Sequence, residues 1–223
     1  MIGFEIHARA RSVDPQLIAQ FGGIPVANIS DVMSRMTAGG AALRPMHDGT
    51  PLAGPALTVK CRPGDNLMVH KALELAAPGD VIVVDAGGDL TNAIIGEIMV
   101  RFAQRRALGG FVIHGAIRDS AALRAGSLPV YAAGVTHRGP YKDGPGSINV
   151  PVSLGGMVIE PGDLVLGDDD GLLCVPYGQA QAILDAAREK QDIEEKMMAD
   201  IAADQLDTSW IDARLKALGC QGV

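Results

Sequence analysis

A single mixed α/β domain built around parallel strands is predicted by three features of this 223-residue chain. Residues 80–135 read strand, helix, strand, helix, strand, the order in which helical crossovers bring parallel strands together. Val81-Ile82-Val83-Val84 and Phe111-Val112-Ile113 are apolar on both faces, as strands covered on two sides must be. With 28 glycines and 13 prolines but only 4% aromatic residues, the interior has to be filled by Val, Ile, Leu, Ala and Met between many tight turns.

Asp14-Pro15 opens a helix through Gln16 to Phe21, because proline is preorganised for a first turn, and Gly22-Gly23 stops it. A second helix is expected from Ser30 to Met36, capped by Ser30 or Asp31. Ala56 to Cys61 alternates like a half-buried strand, and Pro63-Gly64-Asp65 then turns the chain into a helix ending near Ala77. A second Pro-Gly-Asp launches the strand at Val81. The next helix starts at Gly96, so that Ile98, Met99, Phe102 and Ala103 form one apolar stripe while Glu97, Arg101, Gln104 and Arg105 face away. Arg105-Arg106 falls late in that run, where cations complement the carbonyl end of the helix dipole. The strand Phe111 to Ile113, a short helix from Asp119 to Arg124 and a strand around Pro129 to Val135 follow.

Residues 148–176 carry short strands around a third Pro-Gly-Asp and the acidic hairpin turn Asp168-Asp169-Asp170-Gly171. The three Pro-Gly-Asp turns have different flanks and do not make a repeat. Two helices, Gly178 to Ala203 and Trp210 to Leu218, end the chain. On the first, Ile183, Leu184, Ile193 and Met197 need a covering surface, which a second copy of the chain would supply. No linker is long enough to divide the chain.

Nineteen basic and 26 acidic side chains give a net charge of −7 without a basic cluster, which argues against a nucleic-acid partner. Cys61, Cys174 and Cys220 lie far apart with no CxxC spacing, so neither a zinc site nor a disulfide framework is indicated. A reducing cytoplasm fits. Neither a signal-peptide core nor an apolar run of about 18 residues is present, so no export and no membrane contact are expected.

Chemistry concentrates in a few places. The loop Asp85 to Asn92 ahead of the helix at Gly96 offers free amides to an anion, or simply uses its glycines for positive φ. Ile117-Arg118-Asp119 follows a strand, where the carboxyl ends of parallel strands face ligands, although Asp119 would equally cap the helix from Ser120. His7, His47, His70, His114 and His137 show no metal-binding spacing, and His70 and His114 read as hydrogen-bonded structure. Lys142 lies in a turn-rich loop, either as a solvated lysine or on a segment that closes over a pocket.

These pieces occur in a telling order. Asp85 to Ala93 with Gly96-Glu97, then Gly115-Ala116-Ile117-Arg118-Asp119, the Lys142 loop, Asn149-Val150-Pro151-Val152, and Pro161-Gly162-Asp163 through Gly171 closely resemble the RraA-like family, over about residues 29–176. The tail Thr208-Ser209-Trp210-Ile211-Asp212-Ala213 through Gly219-Cys220 is similar to that of the 4-hydroxy-4-methyl-2-oxoglutarate / 4-carboxy-4-hydroxy-2-oxoadipate aldolase branch. The resemblance implies a layered β/β/α single domain of the swivelling phosphohistidine-domain type across residues 1–223, with N- and C-terminal helices. It implies trimers or hexamers with active sites between subunits.

By the same resemblance, Asp119 is the direct ligand of Mg²⁺ or Mn²⁺, Glu97 holds the metal's water, and Arg118 contacts the pyruvyl oxygens. The amides at Gly96, Glu97, Ile98 and Met99 bind the pyruvyl carboxylate, Lys142 is a pocket lysine, and Glu194 or Glu195 reaches in from the neighbouring subunit. His114 before Gly115 departs from the branch. The implied activity is metal-dependent release of pyruvate from 4-hydroxy-2-oxo acids, with oxaloacetate decarboxylation served by the same electron sink. Two other readings stand beside it: a non-catalytic regulator that binds a ribonuclease, known among RraA-like proteins, and a Schiff-base aldolase using Lys60 or Lys142.

Overall fold

The computed structural model describes residues 3–222. In chain order it contains β1 (Phe4–Ile6), α1 (Pro15–Ala19), α2 (Val26–Val32), β2 (Arg44–Pro45), β3 (Leu52–Cys61), α3 (Leu67–Leu75), β4 (Val81–Asp85) and β5 (Ala93–Ile95). Then come α4 (Glu97–Arg105), β6 (Gly110–Ile117), α5 (Ser120–Arg124), β7 (Val130–Val135), β8 (Gly146–Ile148), β9 (Val152–Leu154) and β10 (Met157–Ile159). β11 (Leu164–Asp168), β12 (Gly171–Val175), α6 (Ala180–Ala202) and α7 (Ser209–Ala217) complete it.

The main sheet runs β1-β8-β3-β4-β6-β7-β2, with β3, β4, β6 and β7 parallel. β3 serves two sheets, which is why it is long: Leu52 to Pro55 pairs with β11, and Ala56 to Lys60 pairs with β4. At the crossing, a Cβ on Gly54 would stand 2.3 Å from the Gly79 carbonyl oxygen, so only glycine fits.

Three apolar layers follow from the alternation of the strands. Val59, Ile82, Val84, Phe111 and Ile113 face α3 and α4 on one side of the sheet. Ala56, Val81, Val83, Val112 and Tyr131 face β9 to β12 on the other. The far face of the β11–β12 hairpin, through Leu164, Leu166, Leu173 and Val175, is covered by α1, α2 and the start of α6. Each of these buried aliphatic side chains is worth about 1.5–3 kcal/mol relative to exposure. The fold is thus mixed α/β with stacked β layers and helices outside them.

Several local expectations change. The second helix begins at Val26 instead of Ser30, because its first amide is capped from 142 residues away: Asp168 Oδ2 accepts from Val26 N at 2.9 Å. The buried stripe of α4 is Met99, Val100 and Ala103, while Ile98 is 79% and Phe102 47% exposed. The helix is rotated from the predicted stripe because Ile98 faces a cleft instead of the core. Arg106 ends α4 but donates to the Glu74 and Ala76 carbonyls at the carbonyl end of α3, not to its own helix. Ile183 and Leu184 are buried within the chain, so of the four α6 residues expected to need a covering surface Ile193 and Met197 remain exposed, with Met198 and Ile201 beside them.

The Pro-Gly-Asp turns share chemistry that their flanks do not reveal. Asp65, Asp80 and Asp163 are all buried, and each is met by an arginine, from Arg62, Arg9 and Arg11 respectively. Each also accepts backbone amides: Asp80 from Ala77, Asp163 from Glu160 and Tyr177, and Asp65 from Leu67, Asp143 and Gly144. Buried carboxylates survive only when paired in this way.

Candidate functional site

Arg118 and Asp119 leave the end of β6, beside β5 and the first turn of α4. Asp119 does not cap the helix that follows it. Its backbone is left-handed, φ 57° and ψ 34°, and its side chain makes no capping bond to α5. Instead Asp119 Oδ2 accepts from the Glu97 amide at 3.0 Å, so the carboxylate sits at the positive end of α4. Aspartate and asparagine are the non-glycine residues that adopt this region most readily, because their short polar side chains bond locally. Oδ1 accepts no hydrogen bond among the described residues.

Arg118 Nε lies 3.7 Å from Asp119 Oδ2, and both side chains are about two-fifths exposed. Gly96 lets them approach α4: a Cβ there would fall 2.5 Å from Asp119 Oδ2, 2.8 Å from Arg118 Cγ and 3.1 Å from Arg118 Nε. Of the four amides expected to hold a carboxylate, that of Glu97 is spent on Asp119. Those of Ile98 and Met99 lie in the first turn, where no intrahelical acceptor exists. The Glu97 carboxylate is bound by Arg101, with Nε donating to Oε1 at 2.7 Å.

Two clefts meet at Arg118. One, of about 250 Å³, is bounded by Gly96, Arg118 and Lys142 together with Asn66 and His70 of the α3 end. The other, of about 540 Å³, is open and runs past Asp119, Thr136 and His137. No aspartate or glutamate lines the first, so its polarity suits an anion.

The Lys142 loop is pinned. Asp65 Oδ2 accepts from Asp143 N at 2.7 Å and Gly144 N at 2.9 Å, Tyr141 N donates to the Gly64 carbonyl, and Asn92 Nδ2 donates to the Gly139 carbonyl. This holds Lys142 at the cleft as part of a fixed wall.

The loop Asp85 to Asn92 closes on itself: Asp85 Oδ1 accepts from Gly87 N, Asp89 Oδ1 from Thr91 N, and Gly87 and Gly88 use positive φ. It lines neither cleft, so its glycines serve the turn. His114, on the opposite face of the sheet, stands 3.4 Å from Asp85 Oδ1, in keeping with a structural histidine. His47 is likewise structural, bridging Val130 and Thr50.

Glu194 pairs with Lys190 on α6, which lies in the layer against α2, and Glu195 is its neighbour. Within one chain neither is gathered with Asp119. No group of three or more potential metal ligands occurs among the described residues.

At this cleft, Asn66 is passed over by sequence reasoning, and His70 reads in the sequence as hydrogen-bonded structure. Burial and then the charge of Lys142 hold the His70 imidazole below its ordinary value. Its ring makes no hydrogen bond among the described residues, contrary to the structural role expected for it. The spacing of Asn66 and His70, one turn apart after Pro-Gly-Asp, was the available signal.

The fold agrees with the comparisons. The RraA-like description, aldolase/RraA, matches residues 26–174. The chain belongs to the RraA-like family. A provisionally named 4-hydroxy-4-methyl-2-oxoglutarate aldolase of Halalkalibacterium halodurans is 44% identical over 174 residues, covering 78% of this chain and 83% of the relative. A 4-hydroxy-4-methyl-2-oxoglutarate aldolase of Thermus thermophilus is 38% identical over 112 residues, covering 50% of this chain and 68% of the relative. The crystal structure of a Streptomyces coelicolor protein, described as an unusual member of the RNase ES inhibitor RraA family, superposes with a TM-score of 0.75 at 30% identity, covering 83% of this chain and 96% of the other. No helix among the described residues is long and apolar enough to cross a membrane.

Proposed function

We propose that this RraA-like protein is a divalent-metal-dependent pyruvate aldolase, cleaving 4-hydroxy-2-oxo di- or tricarboxylic acids such as 4-hydroxy-4-methyl-2-oxoglutarate or 4-carboxy-4-hydroxy-2-oxoadipate. The observation that carries this reading is Asp119 itself. A carboxylate turned away from its own helix by a left-handed backbone, with one oxygen unpartnered among the described residues beside an arginine and a helix N-terminus, is better suited to a ligand than to a cap. The aldolase names of two relatives support it.

The donors fit a hard cation. Asp119 keeps Oδ1 free for direct contact, and Glu97 stands at the adjoining helix start, as an ion that retains most of its waters requires. Glu194 or Glu195 from a neighbouring copy would complete the set through water, which makes a homo-oligomer, trimer or hexamer, part of the proposal. When bound, Mg²⁺ or Mn²⁺ supplies a Lewis acid for the 2-oxo group.

The protein's own groups do the rest. The free amides at the start of α4 and Lys142 fix the substrate carboxylate and orient the chain of carbons. The Arg118 guanidinium places positive charge where the 2-oxo oxygen becomes an enolate oxyanion. Gly96 lets Arg118 and Asp119 stand close to the start of α4. Oxaloacetate decarboxylation needs the same oxyanion stabilisation, with CO₂ as the departing group.

Pyruvate release from a panel of 4-hydroxy-2-oxo acids and oxaloacetate, with and without Mg²⁺, tests the proposal. Turnover that ceases on chelation and returns with Mg²⁺ or Mn²⁺ supports it. Full turnover in a metal-free preparation overturns it, and borohydride trapping with pyruvate would then identify a lysine Schiff base. Absence of all turnover would leave the regulator reading, which the description of the Streptomyces coelicolor relative favours.

A further inference from the structure

We propose that His70 is the general base of carbon–carbon cleavage, taking the proton from the 4-hydroxyl group of the substrate. The assignment rests on the aldolase reading and names the one chemical role which that reading leaves without a side chain.

The small cleft is walled by two cations, Arg118 and Lys142, by the start of α4, and by α3. The two carboxylates nearby are engaged: Glu97 by Arg101, and Asp119 by the Glu97 amide. Among the titratable side chains lining the cleft, His70 alone offers an unengaged nitrogen lone pair. A general base must also be neutral at working pH, and the surroundings of His70 favour its neutral form. Its burial and the positive charge of Lys142 from the 139–144 loop lower its proton affinity, and Glu74 on its own helix opposes them more weakly. Arg118, across the cleft from the end of β6, is a further cation facing it, and α4 presents only the apolar Ile98 and Met99.

A second observation points to a ligand that donates a hydrogen bond. Asn66, buried one turn before His70 on the same wall, directs Nδ2 to the Ile94 carbonyl at 2.8 Å. That bond decides the orientation of the amide, since the flipped form would set two oxygens face to face. Its Oδ1 is left buried without a donor, a vacancy that ordinarily costs about 1–3 kcal/mol. The wall therefore combines an unengaged imidazole with a lining residue whose buried amide oxygen lacks a donor, beside an anion-binding floor, which suits an acid carrying a hydroxyl group.

The step balances within the substrate and His70. The hydroxyl proton passes to an imidazole nitrogen, and the O–H electron pair becomes the new C4=O bond. The C3–C4 bond breaks, its electron pair forms C2=C3, and the former C2=O pair moves to the oxygen beside Arg118. The imidazolium then returns its proton to C3, which yields pyruvate and a neutral His70. Decarboxylation of oxaloacetate reaches the same enolate with no hydroxyl proton to remove, and its C3 takes the proton from solvent water, so that reaction does not draw on His70 as a base.

His70→Gln keeps roughly the size and polarity of this side chain but removes the basic nitrogen, and the two reactions are compared in it. Aldol cleavage is expected to fall by about 10²–10⁴, at least tenfold more than oxaloacetate decarboxylation. The acidic limb of the wild-type cleavage profile, set by an imidazole of lowered proton affinity, should be missing from His70→Gln. As a second variant, Lys142→Met should move that limb to higher pH by removing the charge that opposes protonation. Equal losses in both reactions, cleavage retained within tenfold, or a limb unmoved by Lys142→Met would overturn the assignment while leaving the aldolase reading intact. A wild-type protein that turns over neither substrate would overturn both.

Discussion

Gly96→Ala isolates the geometry of the site from the stability of the fold. Gly96 has φ −153° and ψ −168°, extended backbone open to any residue, so alanine brings no backbone strain. Alanine should stabilise by about 0.4–1 kcal/mol through a less disordered unfolded chain. It should lose a comparable amount as the poorer residue at a helix N-cap. Net stability is therefore expected to change by no more than about 1 kcal/mol. The new methyl carbon, however, arrives 2.5 Å from Asp119 Oδ2 and 2.8 Å from Arg118 Cγ. Restoring ordinary contact moves the carboxylate oxygen by roughly 1 Å, and a displacement of that size costs on the order of 10²-fold in rate. Coupled pyruvate-release kinetics give kcat/KM, and urea unfolding gives stability. A folded Gly96→Ala protein with wild-type kcat/KM would show that the approach of α4 to Asp119 and Arg118 is incidental to catalysis. A loss of several kcal/mol would make Gly96 a structural residue first.

Asp119→Asn retains a carbonyl acceptor for the Glu97 amide and tolerates the left-handed backbone, so it should fold normally yet lose Mg²⁺ affinity by calorimetry and at least 100-fold in turnover. Retained metal binding would return Asp119 to the role of a cap for α4. Arg118→Lys keeps the charge but not the planar fork; kcat and kcat/KM should fall together by about 10²–10³, and a rise in KM alone would mean uniform substrate binding. Thiol titration of the native protein should count only Cys220, because Cys174 is buried and burial, then the charges of Asp65 and Asp85, push the Cys61 thiol up to about 12; rapid labelling of either buried cysteine under native conditions would contradict this.

What the chain alone determined was whatever depends on neighbours in sequence. The helix from Pro15 is capped by Asp14 at a separation of two residues, the strand at Val81 is apolar on both faces, and the acidic hairpin turns at Asp168 to Gly171 as its composition requires. The order of the Arg118-Asp119 motif, Gly96-Glu97 and the Lys142 loop was legible for the same reason, since each is a short contiguous segment.

Tertiary structure decided what depends on groups far apart. The true start of α2 rests on Asp168, and the immobility of the Lys142 loop rests on Asp65. The sequence left Asp119 either capping the helix from Ser120 or facing a ligand; the left-handed turn after β6 carries its side chain away from that helix and onto the Glu97 amide, a partner 22 residues away. His70 joined the cleft only when α3 packed beside α4, and its lowered proton affinity comes from burial and from a lysine 72 positions away. Local propensities act over a few residues, whereas the electrostatic field at a site is the sum over every group that folding brings near it, and only the assembled fold determines that sum.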